Sequence, residues 1–385
     1  MEDLLTTKLF IPPTRPELVP RPRLIERLNQ GLHGKLALIS APAGFGKTTL
    51  VCEWVEHLRI GASNENQNEY KIAWLSLDEG DNDPARFLAY LITALQISDS
   101  SIGQQAQTVF QSQQQLLVDP ILMTLVNDIT QLSDPLLEKS NKDFVLILDD
   151  YHVIEEPSIH QAIDFLLKHQ PPQLHLVILT RIDPPLHLSR LRASNLIVEI
   201  RGSKLHFSEK EVETFLNEIM SLDLTPEDIG LLETRTEGWI AGLQLAAISL
   251  QGQENHQEFI QAFSGDNRFV IDFLLDEVLL RQPEDVRRSL LRTSILGHMC
   301  GPLCDVVVNL SDEESIQDGQ GFLEYLDRAN LFIVPMDNQR KWYRYHHLFS
   351  EVLLNRLRQS ELSKLPTLHL RASQWFEDEG NYNQA

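Results

Sequence analysis

The run Ala41-Pro42-Ala43-Gly44-Phe45-Gly46-Lys47-Thr48-Thr49 places two glycines ahead of a lysine and two threonines. Those residue types in that order suit one kind of chemistry, the holding of phosphate. A phosphate-binding loop aims successive backbone N–H groups at oxygen atoms. Glycines permit the close approach and the unusual backbone angles, and the positive end of the following helix strengthens the field. The strict pattern is G-x-x-x-x-G-K-[ST], and Ala41 stands where its first glycine belongs. At the exit of a strand a small residue with ordinary backbone angles suffices. In this reading Ala43, Gly44, Phe45, Gly46 and Thr49 line the nucleotide, Lys47 bridges the terminal phosphates, and Thr48 binds Mg²⁺. The plainer reading is a glycine turn with an exposed lysine.

A magnesium site needs a second donor. The segment FVLILDD ends in Asp149 and Asp150, and an acidic residue at the end of such an apolar strand is what a Walker B site requires. Asp149 would organise Mg²⁺, and Asp150 would orient or activate the attacking water. Taken alone, an Asp-Asp pair equally suits strand termination and helix capping. A further apolar segment ends in Thr180-Arg181. Both side chains are placed to contact a γ-phosphate, for which the parallel donors of a guanidinium are well shaped. A salt bridge from Arg181 to an acidic neighbour is the alternative.

These groups must be positioned by regular elements. Five short apolar runs occur at 36–40, 72–77, 144–150, 174–180 and 196–200. Most are continuously apolar, as expected of strands buried on both faces of a parallel α/β sheet. A strand thus feeds the loop and the helical pattern TTLVCEWVEHL leaves it. The segments 61–70 and the glutamine-rich 104–115 read as solvated interruptions, the latter as a loop or a helix. Asp81-Asn82-Asp83-Pro84 reads as the cap of the helix ARFLAYLITAL. Beyond residue 201 strands stop. Ser208 and Glu211 fit a capping box, and Thr225-Pro226 a capped helix start. The run GWIAGLQLAAISL is apolar nearly all round and reads as a buried helix. Several helices then lead to a hairpin-like pair, LFIVP and KWYRYH, a pattern that suggests a winged helix.

The chain has 385 residues, 42% hydrophobic and 23% charged, with a formal net charge of −22. Nucleic-acid backbones demand clustered Lys and Arg, so the chain as a whole is a poor match for that partner. Its three cysteines, Cys52, Cys300 and Cys304, fit a reducing compartment and supply no second pair for a metal site. The opening residues lack a secretory pattern, and no apolar run approaches the ~20 residues that span a bilayer. The expectation is a cytoplasmic protein without a membrane partner.

The segments TKLFIPPTRPELVPRPRLIERL, APAGFGKTTL, WLSLDEGDNDPARFLAYL, TEGWIAGLQLA, FVIDFLLDEVLLRQPEDVRRSLLRTSIL and WYRYHHLFSEVL resemble the MalT-type branch of LuxR-family transcriptional regulators. That family belongs to the STAND class of signal-transducing P-loop ATPases, and its loop commonly begins with alanine. The resemblance implies a P-loop nucleotide-binding domain with a five-stranded parallel sheet at 1–202, a helical arm at 203–265, a winged helix at 266–362 and the start of a helical repeat sensor domain at 363–385. It also implies an ATP/ADP switch. An ADP-bound closed monomer would open with a small-molecule inducer and ATP, self-associate, and reset by slow hydrolysis. The inducer-sensing superhelix and a DNA-binding helix-turn-helix would lie outside these residues.

Related STAND proteins contact adenine through a V-x-R segment, matched by Val19-Pro20-Arg21, and the ADP β-phosphate through a winged-helix histidine, for which His346 is the counterpart. A surface ion pair for Arg21 and a packed histidine for His346 are the alternatives. The relatives' G-x-P motif is replaced by Gly238-Trp239-Ile240. Two other functions compete. One is a AAA+-like motor, against which the Asp-Asp ending and the regulator-like flanks argue. The other is a DNA-binding winged helix on a vestigial ATPase fold, which would use Arg287, Arg288, Arg292 and Arg328.

Overall fold

A computed structural model describes residues 4–14, 17–62, 69–112, 118–132, 142–251, 256–308, 318–337 and 339–380. The chain divides into two bodies. One comprises residues 1–41 and 46–205, the other residues 42–45 and 206–385.

The first body is built on a parallel sheet. Its elements run α1 (Pro22–Gly31), β1 (Leu36–Ser40), α2 (Lys47–Ala62), β2 (Glu69–Ser76), α3 (Pro84–Ser98), α4 (Gln104–Ser112) and α5 (Val118–Leu132). Then follow β3 (Lys142–Asp149), α6 (Pro157–His169), β4 (Leu174–Thr180), α7 (Leu188–Ala193) and β5 (Ile197–Arg201). Among the described residues the strand order is β2-β3-β4-β1-β5, and every pairing is parallel. All residues of β1 and β4 are buried, which is why their sequences are apolar without alternation. The register pairs Ser40 with Thr180 and Arg201, and Ser76 with Asp149. The residues that end the strands therefore share the carboxyl edge, where open α/β sheets bind ligands.

The strand expectations hold within two or three residues. The glutamine-rich stretch begins as the helix α4, while residues 63–68 and 113–115 lie outside the described residues. Caps start the helices where expected. Asp83 accepts from the Arg86 N–H at 2.9 Å, ahead of Pro84. Its neighbour Asp81 has another role. It is fully buried and receives the ammonium of Lys8, which also lies 3.1 Å from Asp78 and 4.4 Å over the Tyr90 ring. That cluster fastens the amino-terminal turn Thr6–Leu9 to the start of α3.

The second body is mainly helical. It includes helices Pro226–Thr236, Ile240–Leu250, Arg268–Leu274, Glu284–Thr293, Gly301–Val308 and Gly319–Arg328. The antiparallel pair β6 (Ile333–Pro335) and β7 (Tyr343–Tyr345) follows, and then helices His347–Ser360 and Leu365–Asp378. Helices followed by this small hairpin give the winged-helix pattern. Ser208 and Glu211 form the capping box, and Thr225 caps the helix whose first residue is Pro226. Helix Ile240–Leu250 buries Gly242, Leu243, Ala246, Ala247 and Leu250, whereas Ile248 faces outward.

Candidate functional site

In the first body, Lys47 opens α2 and is buried, with 8% exposure. Its ammonium donates to the Ala41 carbonyl at 2.8 Å. Burial, reinforced by the charge of Arg181, lowers its pKa to about 8, against the pull of Asp150 and Asp149. The amine therefore remains mainly charged at neutral pH. Gly46 has φ +73°, and its carbonyl accepts from the Leu50 N–H at 2.9 Å as the helix begins. Thr49 is exposed.

The Thr48 hydroxyl donates to Asp149, with its oxygen 3.1 and 3.2 Å from the two carboxylate oxygens. Asp149 ends β3 and is buried. Burial first, and the neighbouring charge of Asp150 second, raise its pKa to about 7, although Thr48, the Asp150 N–H and Lys47 oppose the shift. The Asp150 N–H donates to Asp149 at 3.0 Å. Asp150 itself adopts φ +55°, half-exposed, with His152 at 3.7 Å. The two acids named from the sequence thus separate into a buried one beside Thr48 and an accessible one at a left-handed turn.

Thr180 is fully buried. Its hydroxyl donates to the Ile182 carbonyl at 2.6 Å, so it serves the turn after β4. Arg181 is partly buried, and its charge acts on Lys47. The same edge holds an ionic group that sequence patterning missed. Arg201 pairs with Asp183 and Glu199, and the Ser40 hydroxyl donates to Asp183 at 3.1 Å. Val19 is buried, and Arg21, with 4% exposure, donates to the Leu205 carbonyl at 2.8 Å. Arg21 is therefore an interior donor to backbone, and its charge also acts on Glu53.

In the second body, the tip residues Pro42–Phe45 are held by the helical segment that follows residue 206. The Trp239 indole N–H donates to the Ala43 carbonyl at 3.1 Å, and the Ala241 N–H to the Gly44 carbonyl at 3.0 Å. Gly44 has φ +75°, and a Cβ there would come within 2.5 Å of the Ala241 Cβ. Phe45 is buried between His206, with ring centroids 5.1 Å apart, and Phe332, at 5.9 Å.

His346 is buried, and its Nε2 donates to the Thr236 carbonyl at 2.9 Å, while Nδ1 has no hydrogen-bond partner. Burial lowers its pKa to about 4. Glu237, which follows Thr236, takes φ +50°. It accepts both guanidinium arms of Arg344, at 2.8 and 2.7 Å, and the His347 N–H at 2.9 Å. Burial pushes its carboxyl up, but these bonds and the nearby positive groups hold it down at about 2. Trp239 entered the sequence reading only as the middle of Gly238-Trp239-Ile240, and its association with Glu237 and Arg344 was missed because no spacing rule links the three.

Three of the four arginines that a DNA-binding winged helix would use have partners within the protein. Arg292 is buried and donates to the Val308 carbonyl at 3.0 Å, Arg287 pairs with Glu284, and Arg328 with Glu324. Among the described residues no group of three or more His, Cys, Asp or Glu side chains could hold a metal. Among the same residues no helix is long and apolar enough to cross a membrane.

Residues 275–365 match the family model of the MalT winged helix domain. The HTH-type transcriptional regulator MalT of Yersinia enterocolitica is 33% identical over 373 residues, which is 96% of this chain and 38% of the relative. MalT of Serratia proteamaculans is 34% identical over the same shares. The chain thus spans well under half the length of these curated relatives. Among solved structures, a Walker-type ATPase of Pyrococcus abyssi aligns with a TM-score of 0.54 at 15% identity, over 89% of this chain and 97% of that one. At that identity the likeness bears on the fold alone. A five-stranded parallel-sheet body, a winged helix matched by the family model, and one-third identity over nearly the whole chain agree: the chain is similar along nearly its whole length to the MalT transcriptional regulators and carries a MalT-type winged helix domain.

Proposed function

We propose that this chain is the nucleotide-operated part of a transcriptional regulator, binding ATP or ADP with Mg²⁺ and hydrolysing ATP slowly. The observation that carries the reading is the pairing of Thr48 with Asp149, 3.1 Å apart, next to the buried ammonium of Lys47. A buried carboxyl raised to about 7 is short of positive charge, and a hydroxyl beside it completes a hard oxygen donor pair suited to Mg²⁺. Bound there, Mg²⁺ would neutralise phosphate charge.

The chain's own groups divide the remaining work. Lys47 exchanges its bond to the Ala41 carbonyl for terminal phosphate oxygens. The loop amides from Ala43 to Thr49 cradle the phosphates. Asp150, on the accessible side of the turn, orients water. Arg181 supplies a further positive group, with Val19 and Arg21 toward the base. His346 would serve a phosphate, as the family resemblance implies, through Nδ1, which has no hydrogen-bond partner, or by giving up its Nε2 bond to Thr236.

Regulation follows the family pattern. The ADP form stays closed and monomeric. Inducer and ATP favour an open form that self-associates, and hydrolysis resets it. A ligand drives such a change only through unequal affinity for the two forms. Inducer and DNA would be engaged through segments outside these residues, and the site of action would be the cytoplasm. Denaturing the purified chain and identifying released nucleotide tests the proposal. Bound ADP, lost in Lys47→Ala, is expected. A chain that carries and binds neither nucleotide overturns it. Sustained turnover well above once per second would favour a motor.

A further inference from the structure

We infer that Trp239 is a positioning residue of the phosphate loop, setting the direction of two of its amides through the carbonyls of Ala43 and Gly44. The inference rests on the nucleotide-binding reading above and concerns how that site is shaped.

A trans peptide is planar, so the C=O of one residue and the N–H of the next point to opposite sides. Trp239 holds the Ala43 carbonyl at 3.1 Å, and the Ala241 N–H holds that of Gly44 at 3.0 Å. The N–H groups of Gly44 and Phe45 are consequently turned away from residues 239–241. Those amides belong to the set that a phosphate loop must aim together. Left to itself, a glycine-rich loop would spread over several orientations, and ordering it would weaken binding. Two external donors remove that freedom before the ligand arrives.

The anchor is itself immobilised. Trp239 is fully buried among Phe273, Phe332 and His346, with ring centroids 5.5, 5.2 and 6.0 Å away. The turn that precedes it is fixed by His346 on the Thr236 carbonyl and by the Arg344–Glu237 pair. Gly44 leaves room for the indole, since a Cβ there would lie 2.9 Å from the Trp239 Nε1. The winged-helix residues and the loop carbonyls therefore meet at one turn, residues 236–241. Loosening the turn should loosen the amides.

The test titrates the purified 385-residue chain with a fluorescent ADP analogue and Mg²⁺. The key variant carries 3-benzothienylalanine at position 239, which keeps the outline of the indole but replaces its N–H by sulfur. The expected result is a melting temperature close to wild type with affinity about tenfold weaker, the effect of one buried hydrogen bond. Ala241→Pro, which deletes the second donor in a first helical turn where proline is tolerated, should weaken binding to a similar degree and serves if the first variant does not fold. Wild-type affinity in a folded variant, with Lys47→Ala abolishing binding, overturns the positioning role alone. A wild-type chain that binds no better than Lys47→Ala overturns the nucleotide reading and this inference with it.

Discussion

The hydroxyl oxygen of Thr48 lies 3.1 and 3.2 Å from the two oxygens of Asp149, although the residues are 101 positions apart. One stands in the first turn of α2, the other at the end of β3. Because the pair acts as a unit, its variants should not add. Thr48→Ala and Asp149→Asn are each expected to lower ATP turnover by at least about tenfold, with the double variant little worse than either. Turnover measured across a Mg²⁺ titration checks this, and additive losses would mean that the residues act separately.

Gly44 combines φ +75° with a neighbour 2.5 Å from any added Cβ. Gly44→Ala should therefore destabilise the fold by about 2 kcal/mol or more, from backbone strain together with the clash. Gly230 offers the opposite case. It lies inside helix Pro226–Thr236 with nothing within 4 Å of an added Cβ. Gly230→Ala should stabilise by roughly 0.5–1 kcal/mol. Urea melts of the two variants should shift in opposite directions.

His346 should make stability depend on pH. Its folded pKa is lowered to about 4, chiefly by burial and also by the charges of His206 and Arg344, with Glu237 and the Thr236 carbonyl opposing. The unfolded chain binds a proton near pH 6.5 that the folded chain refuses down to about 4. The contribution is thus complete above about 6.5 and is lost as the pH falls toward 4, by at most ~1.4 kcal/mol per pH unit. His346→Gln should flatten this part of the profile, as read from denaturant midpoints between pH 7 and 4.

Lys8 and Arg86 both reach Asp81, but from different surroundings. Lys8 is 7% exposed, Arg86 36%, and Asp81 fully buried. Water screens the outer pair and not the inner one. Lys8→Met is expected to cost ~3 kcal/mol by leaving a buried carboxylate short of its partner, whereas Arg86→Met should cost under ~1 kcal/mol. Equal losses in chemical denaturation would contradict this ordering.

All three cysteines are buried and unpaired. Burial pushes the Cys52 thiol up to about 12 and raises Cys304 further still. Thiolate is the reactive form, so a thiol reagent at pH 8 should label the native chain slowly and the urea-unfolded chain at once.

By itself the amino-acid sequence determined whatever depends on neighbours along the chain. APAGFGKTT needs only its own spacing and a strand before it. The apolar runs announce strands covered on both faces, and Ser208 and Thr225 announce helix starts. Even Asp149 was legible, because a strand end is a local property and parallel strands align their ends. Tertiary structure decided the contacts between distant residues whose types follow no period. Lys8 meets Asp81 across 73 positions, His346 meets Thr236 across 110, and Trp239 meets Ala43 across 196. A side chain's propensity says whether it wants burial and a partner, not which carbonyl will accept its proton. That choice belongs to the packed fold, where an indole buried for its apolar surface must also place its N–H. Here the acceptor is the Ala43 carbonyl.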